Sequence, residues 1–353
     1  AVTPDGKQIV TGAEKHKLKI WDMDSGVESA SLGAMTDNCA EFSVALTPDG
    51  RWAVSGVSNA TLEVWNLQNG TVQTVLKGHY APVSVVAVTP DGRRAVSGSN
   101  YYNYDALKVW DLDKKLDLAT LGGCDKMSSV STIAVTPDGL RVVTDSADNS
   151  LKVWDLVTWR VLLTLVGHQD SVSAVAVTPD GRRAVSASLD HTLKVWDLAS
   201  GRELATLAGH QAYVLAVAVT PDGQYVLSGS ADGILKVWDL EKRTELTTLK
   251  AHHGLIDSVV VTPNGRWFIS GSNDGTMKVW DLSVMLHSLP EKETPAHAMV
   301  GLADYGKAVA VTADSRRVIG GRGNLLAVYD RERRQELSAL EGHRGTIGTL
   351  AVT

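Results

Sequence analysis

The chain has 353 residues and a formal net charge of −6, long enough to bury a substantial core as one large domain or two smaller ones. That charge tilts against nucleic acid as the main partner, because phosphate binding leans on clustered Lys and Arg. No apolar run approaches the roughly 20 residues of a membrane helix, and two cysteines, Cys39 and Cys124, are too few for a disulfide framework, which points to a cytoplasmic protein.

Val and Thr are plentiful, helix-spaced apolar residues are scarce, and 32 Gly with ten Pro punctuate short runs, an all-β composition. A T-P-x-x phrase or its variant recurs at Thr3, Thr47, Thr89, Thr136, Thr178, Thr220, Thr262 and Thr312, with a base period of 42 residues from Thr136 through Thr178 and Thr220 to Thr262. The first unit continues to Trp21-Asp22. The second ends on Trp65-Asn66 and is preceded by GAMTDNCAEF (residues 33–42), where later units place Gly-His. The third has Gly78-His79 and Trp110-Asp111, and its corner expands by three to N-Y-Y-N-Y-D (residues 100–105). The fourth ends on Trp154-Asp155 and replaces Gly-His with G-G-C-D-K-M-S (residues 122–128).

The fifth unit, from Gly167-His168 to Trp196-Asp197 and beyond, is the cleanest. Strands are predicted at residues 172–177, 183–188, 192–198 and 203–207, with Pro179 and Gly181 turning the chain between the first two. Gly209-His210 with Trp238-Asp239, and Ala251-His252 with Trp280-Asp281, repeat the pattern in units six and seven. The eighth departs furthest: Ala313-Asp314-Ser315 replaces Pro-Asp-Gly and Tyr329 replaces Trp. The 50 residues from Thr262 to Thr312 exceed the period by eight, around LPEKETPAH (residues 289–297), which reads as a loop of low order.

Gly-His and Trp-Asp at this period resemble the WD40 repeats, which form blades of a β-propeller, and the resemblance covers the whole chain. It implies an all-β fold: a single closed propeller over residues 1–353, with eight four-stranded antiparallel blades. Residues 346–353 are expected to pair with the N-terminal blade and close the ring. Seven blades plus a spare, or a cut across two propellers, are the alternatives. The repeated opening and closing phrase, AVTPDG and AVT, suggests a piece of a longer protein.

His168, Ser186 and Asp190 look like a hydrolytic triad. The same set recurs as His210, Ser228, Asp232 with Trp238, and as His252, Ser270, Asp274 with Trp280, whereas an active site needs one preorganised cavity. The resemblance implies structural tetrads, completed in the fifth unit by Trp196, and no catalytic residue. The Asp-Gly corners hold too few acids for calcium, the histidines lack metal-ligand spacing, and no phosphate loop occurs, so no metal or cofactor is expected. The lysines of L-K-V-W-D and the arginines after the turns read as a solvated face, and the innermost strands as Val, Ala and Ser.

Function is expected where the repeats differ. Units two, three and four depart consecutively, in loops that by the resemblance share the face usually used for partners. Candidate partner-binding residues are Met35, Asp37, Tyr80, Tyr101, Tyr102, Tyr104, Asp105, Asp125 and Lys126, with tyrosines as contact anchors. The expected protein is a non-enzymatic, monomeric ring binding a protein or peptide on one face, with neither nucleic acid nor membrane as partner. Highly similar repeats resemble bacterial examples, which implies a sensor or regulatory domain beside a STAND-type NTPase or a Ser/Thr kinase. A free-standing scaffold or spacer is the alternative, and a channel-mouth enzyme ranks below both.

Overall fold

A computed structural model describes residues 3–5, 7–13, 17–22, 25, 27–32, 43–57, 59–99, 107–121, 130–287, 297–299, 309–322, 325–333, 335–341 and 347–349. These form eight four-stranded antiparallel sheets, the eight blades of a β-propeller. Blade five shows the pattern: Val172–Val177, Arg183–Ser188, Thr192–Asp197 and Glu203–Ala208 pair in sequence order. First strands of neighbouring blades lie against one another and so line the centre of the ring, while fourth strands form the rim. Ile347–Thr349 pairs antiparallel with Gln8–Ala13, with Gly12 opposite Thr349 and Ala13 opposite Ile347.

Both faces of each blade are buried, which the third strand explains. In Leu193-Lys194-Val195-Trp196, strand alternation aims Leu193 and Val195 at one neighbouring blade and Trp196 at the other, and a bulge in the fourth strand lies opposite Val195 and Trp196. Trp196 packs with Val143, Leu151 and Val153 of blade four, while Leu193 and Val195 pack with Val214 and Val226 of blade six. Blade five thus supplies part of the core on both of its sides, so alone it would leave apolar faces wet.

The T-P-D-G turns define one face. Thr178 Oγ1 donates to Asp180 Oδ1 at 2.6 Å, the amide of Arg182 donates to the same oxygen at 3.0 Å, and Gly181 closes the turn at φ 67°. In blade eight Thr312 and Asp314 keep this geometry, and Ser315 takes the left-handed place at φ 59°. Corners between second and third strands, and the Gly-His links between blades, lie on the opposite face.

Blade seven departs from the predicted elements. The six-residue helix Leu282–His287 follows its third strand, started by Asp281 accepting from the amide of Ser283 at 3.0 Å, and the fourth strand is His297–Met299. His297, expected within a loop, therefore begins a strand; the rest of the LPEKETPAH stretch lies outside the described residues.

Candidate functional site

Repetition separates scaffold from candidate site. In blade five the indole N–H of Trp196 donates to Ser186 Oγ at 2.8 Å, and His168 Nε2 lies 2.7 Å from the same oxygen. His168 Nδ1 meets Asp190 Oδ2 at 2.7 Å, so the neutral imidazole donates to Asp190 and accepts the serine proton. Ser186, Ser228 and Ser270 are all fully buried and doubly engaged, which leaves their hydroxyls no approach for a substrate. Blade three repeats the Trp110, Ser97 and His79 contacts at 2.8 and 2.7 Å. Without the Gly-His mark, blades two and four keep, among the described residues, the indole bond alone, Trp65 to Ser55 at 3.0 Å and Trp154 to Thr144 at 3.0 Å.

The three sets built on His168, His210 and His252 are not equivalent. His252 Nδ1 lies 2.8 Å from Thr276 Oγ1 and 3.4 Å from Asp274. In blade six Asp232 instead accepts from Ser230 and from the amide of Ile234, and His210 Nδ1 has no partner among the described residues. The blade-six set is thus a triad of His210, Ser228 and Trp238, not a tetrad. Burial pushes the His210 and His252 imidazoles down to about 4, and it lowers His168 against the pull of Asp190. Burial opposes ionisation of Asp190, but hydrogen bonds from Thr192, Gln169 and His168 prevail and hold it at about 2.

The L-K-V-W-D lysines do not form a solvated face. Lys108, Lys194 and Lys236 are at most 9% exposed. Each ammonium is clasped by an acid and a threonine of its own fourth strand: Lys194 meets Glu203 at 2.9 Å and Thr206 at 2.8 Å, and Lys236 meets Glu245 at 2.7 Å. Lys108 with Asp117 at 2.9 Å and Thr120 does the same, and Lys19 pairs with Glu28 alone among the described residues. The signal was legible as a Lys followed nine residues later by an acid. Removing one partner of so buried a pair strands the other. Glu203→Gln is expected to lower stability by about 1–3 kcal/mol after allowing for the partial exposure of Glu203. Lys152→Met in blade four, where among the described residues Lys152 meets only the exposed Asp148 at 3.6 Å, should cost under about 1 kcal/mol. Urea midpoints of the two variants check the contrast.

The innermost strands are also less uniform than Val, Ala and Ser: Asp257 lies in the first strand of blade seven, Ile256–Val261. On the second strand of blade four, the buried Asp145 accepts from Ser131 Oγ at 2.6 Å and from the amides of Ser131 and Thr132 at 2.8 and 3.0 Å. Asp145 holds down a shortened first strand. On the turn face, clefts of about 690 and 490 Å³ lie between blades two and three and between blades five and six. They occupy equivalent positions, Asp91 and Arg93 in one matching Asp222 and Gln224 in the other, and belong to the repeat.

Of the candidate partner-binding residues, Tyr80 is described. It directly follows His79 on the face opposite the turns and is 82% exposed, the highest among the exposed large apolar side chains. Met35, Asp37, Tyr101, Tyr102, Tyr104, Asp105, Asp125, Lys126 and both cysteines lie outside the described residues.

Eight radially arranged antiparallel blades, seven of them tied by a Trp-to-Ser/Thr bond, define a β-propeller of the Trp-Asp type. The family described as WD domain, G-beta repeat matches residues 1–22, 37–66, 70–111, 117–155, 159–197, 201–239 and 243–281, more than half of the chain. The chain belongs to the WD40 repeat family, whose propellers are generally protein–protein interaction modules. No curated protein matches it. The eighth blade lies beyond the seven matched segments; in it Gly320 stands where the bonding serine would be and Tyr329 where the tryptophan would be.

Proposed function

We propose that this propeller is a non-catalytic interaction module that binds a protein or peptide on the face carrying the Gly-His links, through the arc of blades two to four. The observation that carries the reading is the consecutive failure of the repeat there. Blades five to seven share the Trp-Ser-His contacts, whereas blades two and four have no histidine at that place and blade three, which keeps the contacts, displays Tyr80 beside them. On this reading Tyr101, Tyr102 and Tyr104 with Tyr80 supply the contact area, flanked by Met35, Asp37, Asp105, Asp125 and Lys126. The module serves as the sensor or regulatory domain of a bacterial, cytoplasmic signalling protein of the NTPase or kinase kind.

Panning a random linear peptide library against the full chain supplies the ligand for the test. Tyr101, Tyr102 and Tyr104 changed together to Ala should weaken the selected peptides by on the order of tenfold or more, with melting unchanged within about 1 °C. Undiminished capture by this variant would remove the tyrosines from the site.

A further inference from the structure

The Lys–acid clasp and the Gly-His link are one device. A Cβ added at Gly78 would lie 3.1 Å from the Trp110 ring and 3.3 Å from both Lys108 Cε and Asp117 Oδ2; at Gly167 it would lie 2.9 Å from Glu203 Oε2, and at Gly209 2.8 Å from Glu245 Oε2. The glycine thus lets the link lie directly on the clasp. Blades two and four, where the link is missing, have also lost the clasp, and in opposite senses. Blade four keeps Lys152 but has Val161 opposite Trp154, where blade five has Glu203 opposite Trp196.

Blade two reverses the charge. Its third strand, Thr61–Asn66, reads T-L-E-V-W-N, so Glu63 occupies the lysine position. Val72 stands opposite Trp65 and Val75 opposite Glu63, replacing the acid and the threonine. Glu63 is therefore a half-buried carboxylate facing two valines that are 41% and 42% exposed, and burial raises its pKa. Among the described residues nothing donates a hydrogen bond to it, and no ion pair joins it to Lys77, opposite Thr61 on the same strand pair. The segment at residues 33–42, GAMTDNCAEF, contains no Lys, Arg or His.

We propose that Glu63 is an open socket for a lysine or arginine side chain of the partner, with the aliphatic stem lying along Val72 and Val75. The fold already builds this pairing elsewhere: the partner's cation completes in trans, with signs exchanged, the clasp that blades one, three, five and six complete within the chain. The proposal rests on the interaction reading above and gives its partner a chemistry, a basic residue in a chain segment reaching the rim of blade two.

The test uses the peptides panned on the full chain and three variants. Selected sequences should share a Lys or Arg, lose on the order of tenfold in affinity against Glu63→Gln, and weaken as salt rises. Glu63→Lys combined with Val72→Glu and Val75→Thr rebuilds the clasp in cis; it should melt at or above the parent temperature yet fail to bind, which excludes misfolding as the cause. Peptides that bind Glu63→Gln and the rebuilt variant as well as the parent, but lose affinity when Tyr101, Tyr102 and Tyr104 are changed to Ala, would overturn the socket and leave the interaction arc standing. Peptides indifferent to all of these variants would overturn both.

Discussion

Trp196→Ala is expected to lower the unfolding free energy by about 3–5 kcal/mol, the range for deleting a large buried aromatic. Two losses combine. The indole is 1% exposed and fills the interface with blade four, so its removal opens a cavity between blades. The Ser186 hydroxyl also loses its donor while fully buried, leaving His168 as its remaining partner. Trp196→Phe restores most of the volume but not the N–H and should recover roughly half of the loss. Urea unfolding of both variants separates packing from bonding; equal stability of Trp196→Phe and the parent would show that the indole bond contributes nothing.

Acid should loosen the ring well above the ordinary carboxylate range. His210 and His252 have folded-state pKa values near 4 against an ordinary 6.5, so the unfolded chain takes up protons first. Their contribution is fully present above pH 6.5 and is lost as pH falls toward 4, by about 2 kcal/mol per histidine between pH 7.5 and 5. Asp190 and Asp274 are held near 2 against 3.8, and their contribution, present above pH 3.8, is lost below it, in the same direction. Urea midpoints at pH 7.5 and 5.0 measure the first window. His210→Gln should flatten the dependence by its share while lowering stability at pH 7.5; a midpoint equal at both pH values would contradict neutral, buried histidines.

The fold was legible in the sequence because an array spells its architecture repeatedly. Eight Thr marks and their partner Trp-Asp or equivalent signs gave eight blades, and strands read from the fifth unit agree with the structure to within one residue at the ends of its third and fourth strands. What escaped depends on where side chains point. Lys194 was taken for a surface charge because a lysine inside an alternating strand normally is one; the bulge at Trp196 instead sets Glu203 and Thr206 over its ammonium. Asp232 and Asp274 sit in matching Asp-Gly corners, yet Asp232 bonds Ser230, while Asp274 receives the His253 amide at 2.8 Å beside His252. Glu63 was visible as L-E-V-W-N among copies of L-K-V-W-D, but an exchanged sign has meaning only once the clasp is known. The irregular loops were legible as exceptions to the repeat, and they lie outside the described residues.

Hydrogen–deuterium exchange of the full chain, with and without a saturating panned peptide, tests the arc most directly. The predicted result is protection concentrated in residues 33–42, 58–63, 79–81, 100–106 and 122–129, with the T-P-D-G turns and the regular links of blades five to seven unchanged. Protection centred on those turns, or on the links at His168, His210 and His252, would contradict a binding face built where the repeat fails.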